Sequence, residues 1–357
     1  MNNRIGEHEL LVLLTGLFIS QLLIPGSLAP VDYAANAAWV SVLLSMVLGL
    51  GFALISAWLL RGGDYFSACD LLGRASGLFS GLLGLLFLVL TAVCFRGLLD
   101  TLEAYILSLT PRALLAGLML LCLLPGCFFG SAPISRMLSF YAPFASLLFL
   151  AVLLLALPHN AKLTNLFPLF GDGARRLAID GSIGAVSYLW LFVLLIERRR
   201  CKRPLRTGLL SVALSALFLF VGYLSYSLLN APGSPSETSA PLQQITTFSG
   251  YWRFFQRTQS VFVFAWAPLL LCASAAGLCY CGRCLGHAFG MEDPRPLFLP
   301  LGVVLLCLAA PSTERAPVWL RFVIEQKAWR ALSLPPLLAP LIAWSLRQRK
   351  ARRQTHA

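Results

Sequence analysis

Charged side chains are scarce in this sequence. Only 12% of the 357 residues are Asp, Glu, Lys or Arg, whereas 58% are hydrophobic. A soluble domain has no interior large enough to bury such an apolar share, so we expect a polytopic membrane protein. The longest polar stretches are about twenty residues, which leaves no room for a soluble catalytic domain.

Histidine is scarce as well, and the grouped side chains that catalytic sites need are missing. The four histidines, at positions 8, 159, 287 and 356, are dispersed. The sequence contains no nucleophile–base constellation and no Gly-rich phosphate loop. We therefore predict that the protein is not an enzyme and uses no cofactor.

Apolar runs long enough to cross a bilayer recur along the whole chain. A helix of about 20 residues spans roughly 30 Å of hydrocarbon. The first run is too long and uninterrupted for the apolar part of a signal peptide. The ten predicted spans cover residues 9–28, 37–60, 78–109, 112–130, 137–157, 180–196, 207–229, 258–282, 297–310 and 331–346. The polar segment 311–330 is either a loop or an interfacial helix, and its apolar core with flanking charges favours the helix.

The net charge of +13 is unevenly distributed. Lys and Arg gather in ERRRCKRPLR (197–206) and in the tail segment RQRKARR (347–353), and none occurs between Thr207 and Trp252. By the positive-inside rule the two basic segments are cytoplasmic, and the loop NAPGSPSETSAPLQQ is outside. An even number of spans with both termini in the cytoplasm satisfies this. The charge is thus a topology signal, with the lipid bilayer as partner rather than nucleic acid.

The ten cysteines lie mostly within the predicted spans and act as small apolar residues rather than a disulfide framework. One group, CYCGRCLGH, brings together Cys279, Cys281, Cys284 and His287. A Cys3His zinc site is one interpretation. Zinc sites usually take a second, distant pair of ligands, whereas these four come from one helix end. A reduced structural role is the preferred interpretation, and we predict no metal.

The spans divide into two sets of five, and the first span of each set is interrupted. Residues 8–157 form the first set, 158–179 a connecting loop, 180–346 the second set and 347–357 a basic tail, all within one membrane domain of residues 1–357. Span one contains Pro25-Gly26 and Pro30 in ISQLLIPGSLAP, and span six contains Gly181 and Gly184 in DGSIGAVSY. Such matched interruptions indicate an inverted-repeat transporter fold. The alternative is that Pro and Gly are simply common in membrane helices.

Seven short segments, in order, carry a resemblance over nearly the full length. They are LLIP (22–25), AAWVSVLL (37–44), FRGLLDTLEAYILSLTP (95–111), ISRMLSFYAPF (134–144), NLFPLFGDG (165–173), FFQRTQSVFVFAW (254–266) and AFGMEDPRPLFLP (288–300). Together they resemble the spore-germination permease family, the B subunits of nutrient germinant receptors within the amino acid–polyamine–cation transporter superfamily. Each segment is weak alone, whereas seven in the right order are fairly specific.

The resemblance implies an all-α, LeuT-like fold of ten helices in a 5+5 inverted repeat with broken helices one and six. It also implies a cleft among spans one, three, six and eight that takes an amino acid or similar nutrient. The implied partners are an A-type subunit and a C-type lipoprotein subunit, in the spore inner membrane.

The chain departs from the family pattern at the cleft. Phe18-Ile19-Ser20 stands where the family often has Gly-x-Gly, and Trp190-Leu191-Phe192 stands where it has Gly-x-Glu in span six. The two family glutamates of span eight are Gln256 and Gln259. The lining has lost charge and gained bulk, which argues against an ordinary amino-acid specificity.

Two polar groups lie at the edges of spans. Arg96, Asp100 and Glu103 are spaced i, i+4 and i+7 and share one helical face. They form either a coupling or gating cluster or a self-neutralising structural anchor. Gln256, Arg257 and Gln259 begin span eight, where they form either an outer gate or an interfacial anchor with one interhelical ion pair.

The candidate ligand-binding residues come from four spans. They are Phe18, Ser20 and Gln21 of span one, Leu90 and Thr91 of span three, Ser187 and Leu189 of span six, and Ala273, Ser274 and Gly277 of span eight. Unwound backbone of spans one and six would meet the charged groups of a ligand, and the other two spans would select its tail. The alternative for each is ordinary helix packing by small residues.

Three functions fit these features. The first is a sensor, a membrane subunit of a germinant receptor that binds a nutrient and signals to its partners. The second is a secondary transporter of amino acids or related solutes, which the missing carboxylates of spans six and eight weaken. The third is a scaffold subunit that binds no ligand, an interpretation that the bulk of Trp190 and Phe192 favours.

Overall fold

A computed structural model describes residues 5–20, 37–59, 64–167, 173–198, 201–230, 245–246 and 258–311, together with residues 342 and 345. Within these ranges every regular element is helical. The α-helices are α1 (Glu7–Ile19), α2 (Ala38–Leu59), α3 (Tyr65–Asp70), α4 (Ser76–Tyr105), α5 (Arg112–Phe129), α6 (Ser131–Asn160), α7 (Ala174–Ala185), α8 (Leu191–Ile196), α9 (Pro204–Leu229), α10 (Thr258–Ala288) and α11 (Arg295–Ala309). Short 3-10 helices occur at Gly73–Ala75, Leu163–Leu166 and Val186–Trp190.

Seven helical segments of the described chain are long and apolar enough to cross a membrane. They correspond to the predicted spans two to eight, with α7, the 3-10 helix and α8 together forming the sixth. Helix α11 lies at the predicted ninth span and is shorter than these seven segments. Helix α1 covers the first part of span one. The all-helical membrane prediction is confirmed, whereas the count of ten stays a prediction. Residues 21–28, most of span ten and nearly all of segment 311–330 lie outside the described residues.

The predicted boundaries need correction around Gly130. Span five was predicted to begin at residue 137, but α6 begins at Ser131, directly after α5 and one connecting residue. Gly130 adopts a φ of 92°, a conformation that side chains other than glycine rarely take. Its N–H donates to the carbonyls of Gly126 and Cys127 and so caps α5.

The helices pack through small residues, as expected where lipid supplies no hydrophobic force between them. The most extensive contact joins α4 and α10, and α2 packs against both α9 and α7. Gly84 lies so close to Leu285 that an added Cβ would be 2.9 Å from its side chain. Gly208 likewise leaves room for Leu194.

The sixth span is interrupted, but not at the glycines. Helix α7 runs through Gly181 and Gly184, and the backbone leaves the α-helix only at Val186–Trp190. The two glycines instead let α2 approach, because Gly181 packs on Leu44 and Gly184 on Ser45. In span one the α-helix ends at Ile19, and the predicted break at Pro25-Gly26 and Pro30 lies outside the described residues.

Hydrogen bonds define the two ends of the bundle. At one end Glu7 Oε1 accepts a hydrogen bond from the backbone N–H of Arg203 at 2.8 Å, and Arg136 Nε donates to Glu9 Oε1 at 3.1 Å. We call this the basic end. At the other end the Asn165 side-chain amide donates to the Leu228 carbonyl at 3.0 Å. We call this the Asn165 end.

Candidate functional site

Helix α1 brings two predicted binding residues into the middle of the bundle. Phe18 is fully buried and its ring lies edge-on to that of Tyr188, with centroids 5.0 Å apart. Ser20 is buried as well, donates to the Leu17 carbonyl at 2.6 Å, and has its Oγ 3.8 Å from the Cys94 sulfur. Span one therefore meets both the 3-10 helix of span six and α4.

Helices α4 and α10 bring Thr91 and Gly277 into direct contact. A Cβ placed on Gly277 would overlap the Thr91 hydroxyl and lie 2.9 Å from Trp190. The Thr91 hydroxyl donates to the Phe87 carbonyl at 2.6 Å, and Ser274 donates to the Leu270 carbonyl at 2.8 Å. Both hydroxyls are thus satisfied within their own helices, which leaves their acceptor lone pairs for a ligand.

The remaining described candidates are buried as well. Leu90, Ser187, Leu189 and Ala273 all have little or no exposed surface. Gln21 lies outside the described residues. The structure shows contacts at Phe18, Ser20, Thr91 and Gly277, and the role of all these residues in binding stays a prediction.

Aromatic side chains fill the space between these helices. Trp190 stacks on Phe87 with ring centroids 5.7 Å apart, and Phe87 in turn lies 6.0 Å from Tyr280. The 3-10 helix positions Tyr188 towards α1 and Trp190 towards α4 and α10, because its tighter turn changes the direction of successive side chains. The centre of the bundle is apolar and closely packed.

The charge cluster predicted on α4 is held by a residue that sequence reasoning missed. Arg112, the first residue of α5, donates to Asp100 and Glu103, each at 2.5 Å. Its Nε also donates to the Ala310 carbonyl at the end of α11, at 2.9 Å. Arg96 lies farther from Asp100, at 4.0 Å. One guanidinium thus ties α4, α5 and α11 together at the Asn165 end.

A gating role for this cluster stays a prediction, and so does a gating role at the start of span eight. Gln256 and Arg257 lie outside the described residues, and Gln259 lies in the first turn of α10. The signal for Arg112 was its place directly after Thr110-Pro111, where a helix N-terminus returns the chain towards the end of α4.

The cysteine group lies inside α10 and its histidine has other partners. Cys279, Cys281 and Cys284 are buried. His287 Nδ1 is 2.9 Å from the Ser80 hydroxyl, its Nε2 is 3.1 Å from Asp70 Oδ1, and its ring stacks on Phe66. Within the part of the chain that the structure describes, no three His, Cys, Asp or Glu side chains are grouped to hold a metal. The contacts of His287 tie the short helix α3 to α4 and α10.

A second charged group lies at the basic end and was also missed. Glu197, directly after α8, pairs with Arg283 of α10. The same Glu197 oxygen accepts hydrogen bonds from the Tyr280 hydroxyl at 3.3 Å and the Ser131 hydroxyl at 3.5 Å. Glu197 is the one acid of the predicted cytoplasmic basic segment ERRRCKRPLR, and no partner was predicted for it.

Burial suppresses the acidity of three side chains outside the spans. It raises the pKa of the Cys69 thiol on α3 to about 11, and the pKa of the neighbouring Tyr65 hydroxyl also rises. Cys201, between α8 and α9, has its pKa raised to about 11 by burial, with smaller contributions from the charges of Glu7 and Glu197. None of these groups is a reactive thiolate or phenolate near neutral pH.

The long apolar helices define an integral membrane protein. Comparison with known proteins names the family. The profile of the family described as "Spore germination protein" matches residues 5–316. The chain belongs to this spore germination permease family, which is transporter-like and non-enzymatic.

A curated relative agrees with the family match. The protein named "Putative spore germination protein YfkT" of Bacillus subtilis (strain 168) is 23% identical over 280 residues, which cover 76% of this chain and 77% of the relative. The resemblance found in the sequence is therefore confirmed at the level of the family.

Proposed function

We propose that this protein is the membrane subunit of a spore germinant receptor. It binds a small, amino acid-like nutrient in a cleft among α1, the 3-10 helix, α4 and α10, and it passes a conformational change to A-type and C-type partner subunits. It resides in the spore inner membrane with both termini in the cytoplasm, so the basic end is cytoplasmic.

The observation that carries the proposal is the meeting of Thr91, Gly277 and the 3-10 helix in the middle of the bundle. Irregular backbone at membrane depth is tolerated where it is buried in protein or lines a cavity, and transporters use it to bind ligands. Because Gly277 has no side chain, α10 can lie in direct contact with α4 at Thr91. A small outward movement of either helix would open a space beside Thr91.

The pattern of helix contacts supports a LeuT-like inverted repeat. In the numbering of the predicted spans, span two packs on seven, three on eight and four on nine, and α1 meets both the 3-10 helix and α8 of span six. Each partner in these pairs lies five spans further along the chain, whereas α1 packs more extensively on α9 and α6, and α2 also packs on α7. Two five-helix repeats related by a pseudo-two-fold axis place equivalent helices together in this way.

A nutrient acts as a signal only if it binds one conformation more tightly than the other. The packed centre described above is the unliganded, closed arrangement under this proposal. Binding would separate Trp190 from Phe87 or Gly277 and shift the population towards an open form, which the partner subunits would detect.

A second candidate function rests on Trp190. This side chain is buried and occupies the position between Phe87 and Gly277 that a ligand tail would take. A subunit whose cleft is permanently filled would serve as a ligand-free scaffold of the receptor.

A thermal-shift screen of the purified protein against amino acids, sugars, nucleosides and salts separates the two. Ligand that binds only the folded state raises the apparent Tm in a saturable way. Under the receptor proposal one compound raises the Tm, and Thr91→Val removes at least half of that rise. Thr101→Val is the matched control, because Thr101 is also buried on α4 and donates to its own helix at 2.7 Å.

Two outcomes would contradict the receptor proposal. If no compound raises the Tm while the protein still assembles with an A-type partner, the scaffold function replaces the receptor function. If a compound raises the Tm of the Thr91→Val and Thr101→Val proteins equally, it binds elsewhere and the proposed cleft is wrong.

A further inference from the structure

The charged group at the basic end surrounds a fully buried carboxylate. Glu197 has none of its side chain exposed, whereas its partner Arg283 is 23% exposed. A carboxylate removed from water is costly unless its partners replace the lost hydration. Here one Glu197 oxygen accepts hydrogen bonds from the Arg283 guanidinium, the Tyr280 hydroxyl and the Ser131 hydroxyl.

These contacts join three helices that are distant in sequence. Glu197 follows α8, Ser131 begins α6, and Tyr280 with Arg283 lies on α10. The Arg283 guanidinium also lies over the Tyr280 ring, 5.4 Å from its centroid, so the α10 side is braced. Moving α10 away at this end would take both the Arg283 guanidinium and the Tyr280 hydroxyl from a buried carboxylate.

A change of backbone geometry separates the element that precedes Glu197 from the first part of its span. Helix α8 has only six residues and is separated from α7 by the 3-10 helix. A change of backbone geometry within a membrane helix is a site where two segments can tilt relative to each other.

An alternative set of cations lies next to Glu197 along the chain. Lys202, Arg203 and Arg206 are exposed at the basic end. A Glu197 released from Arg283 would move into a solvated and strongly positive surrounding, which lowers the cost of opening. The carboxylate therefore has two environments, one buried and specific, the other hydrated and basic.

We propose that the Glu197–Arg283 pair is a latch that holds the basic end of the bundle closed, and that its release lets α8 separate from α10. The latch extends the proposed function by supplying the second conformation that a receptor needs. It is tested without any ligand, so its failure would leave nutrient binding untouched, and the absence of nutrient binding would leave the latch untouched.

Native cysteines report the opening. Cys281 and Cys284 are fully buried on α10 within one turn of Arg283. Cys94 of α4 lies beside Ser20 and is buried away from the latch. Its labelling therefore reports loss of the whole fold. Labelling by a small maleimide, mapped by mass spectrometry in detergent-purified protein, measures each thiol separately. Cys201 is left out because the charge of Glu197 itself contributes to its raised pKa.

Glu197→Gln removes the charge at nearly constant size. We expect the labelling rates of Cys281 and Cys284 to rise at least about tenfold, because breaking a buried pair strands its partner, while Cys94 stays protected. Glu9→Gln is the matched control. It breaks an ion pair at the same end, but one whose arginine, Arg136, is 52% exposed, and we expect less than about a twofold change.

Three results would overturn the latch. One is that Cys281 and Cys284 of folded Glu197→Gln protein react no faster than in the parent. Another is that Cys94 becomes reactive together with them, which would make the pair a general fold determinant. If Glu197→Gln does not yield folded protein, Arg283→Lys keeps the charge but loses the planar contact, and unchanged rates of Cys281 and Cys284 in that variant would also reject the proposal.

Discussion

The two ends of the bundle hold their charges in different ways. At the Asn165 end Arg112 binds two carboxylates of the preceding helix and a carbonyl of α11. At the basic end Arg283 binds a carboxylate that lies 86 residues away in sequence and has no exposed surface. The Asp100 and Glu103 carboxylates are partly exposed, so water shares their stabilisation.

From this difference we expect the Arg112 contacts to act as an anchor and the proposed Glu197 latch to act as a switch. Arg112 and its two acids belong to consecutive helices joined by a six-residue turn, so the chain itself keeps them together. The Glu197 group joins segments that the chain does not hold together locally. We therefore expect loss of the Glu197–Arg283 contact, rather than of the Arg112 contacts, to change the conformation.

The largest effect should come from removing each central arginine. Arg283→Met should lower the free energy of unfolding by about 3 kcal/mol or more, because the fully buried Glu197 carboxylate loses the Arg283 guanidinium. Arg112→Met should cost about 1–2 kcal/mol, because water can reach Asp100 and Glu103. Titration with a denaturing detergent measures both. An Arg112→Met cost equal to or above that of Arg283→Met would reverse the comparison.

A smaller effect should distinguish the fork of Arg112 from a simple positive charge. Arg112→Lys keeps the charge, but an ammonium cannot contact Asp100, Glu103 and the Ala310 carbonyl in one plane. We expect a loss of about 1 kcal/mol in the free energy of unfolding. Arg136→Lys, at an exposed pair, should change it by less than about 0.5 kcal/mol. Equal values for the two variants would show that geometry contributes nothing at the Asn165 end.

The smallest effect concerns Cys201 at the basic end. Burial, with help from Glu7 and Glu197, raises its pKa to about 11, so at pH 8 only about 0.1% is thiolate. Its alkylation rate should therefore keep rising with pH until about pH 11. Glu7→Gln removes one acid-weakening charge, lowers the pKa and should speed alkylation at pH 8 by about two- to threefold. Glu9→Gln serves as the control, and a rate profile with its midpoint near pH 8.5 would contradict the assignment.

The sequence contained much of the fold because membrane helices depend on simple rules. Seven apolar runs became helices where predicted, since backbone groups in lipid must bond within their own segment. Thr91 and Gly277 were predicted as ligand-binding residues of spans three and eight, and the structure places them in contact. Close packing at small residues follows a simple rule of membrane helices, so it too can be predicted from the sequence.

Other features depend on tertiary geometry that no local pattern contains. The interruption of span six lies at Val186–Trp190 rather than at the glycines, because glycine here serves helix contact rather than bending. Arg112 and Arg283 were missed because their partners are chosen by helix packing. Glu197 was missed for a different reason: the positive charges around it already had an explanation in topology.

Gly130 has a consequence for how force travels through the bundle. With one residue between α5 and α6 there is no slack, so the two helices form a rigid corner rather than two independent rods. Ser131, the first residue after that corner, donates a hydrogen bond to Glu197. A tilt of α5 in the bilayer would therefore move Ser131 and, through its hydrogen bond, act on the Glu197 carboxylate at the basic end.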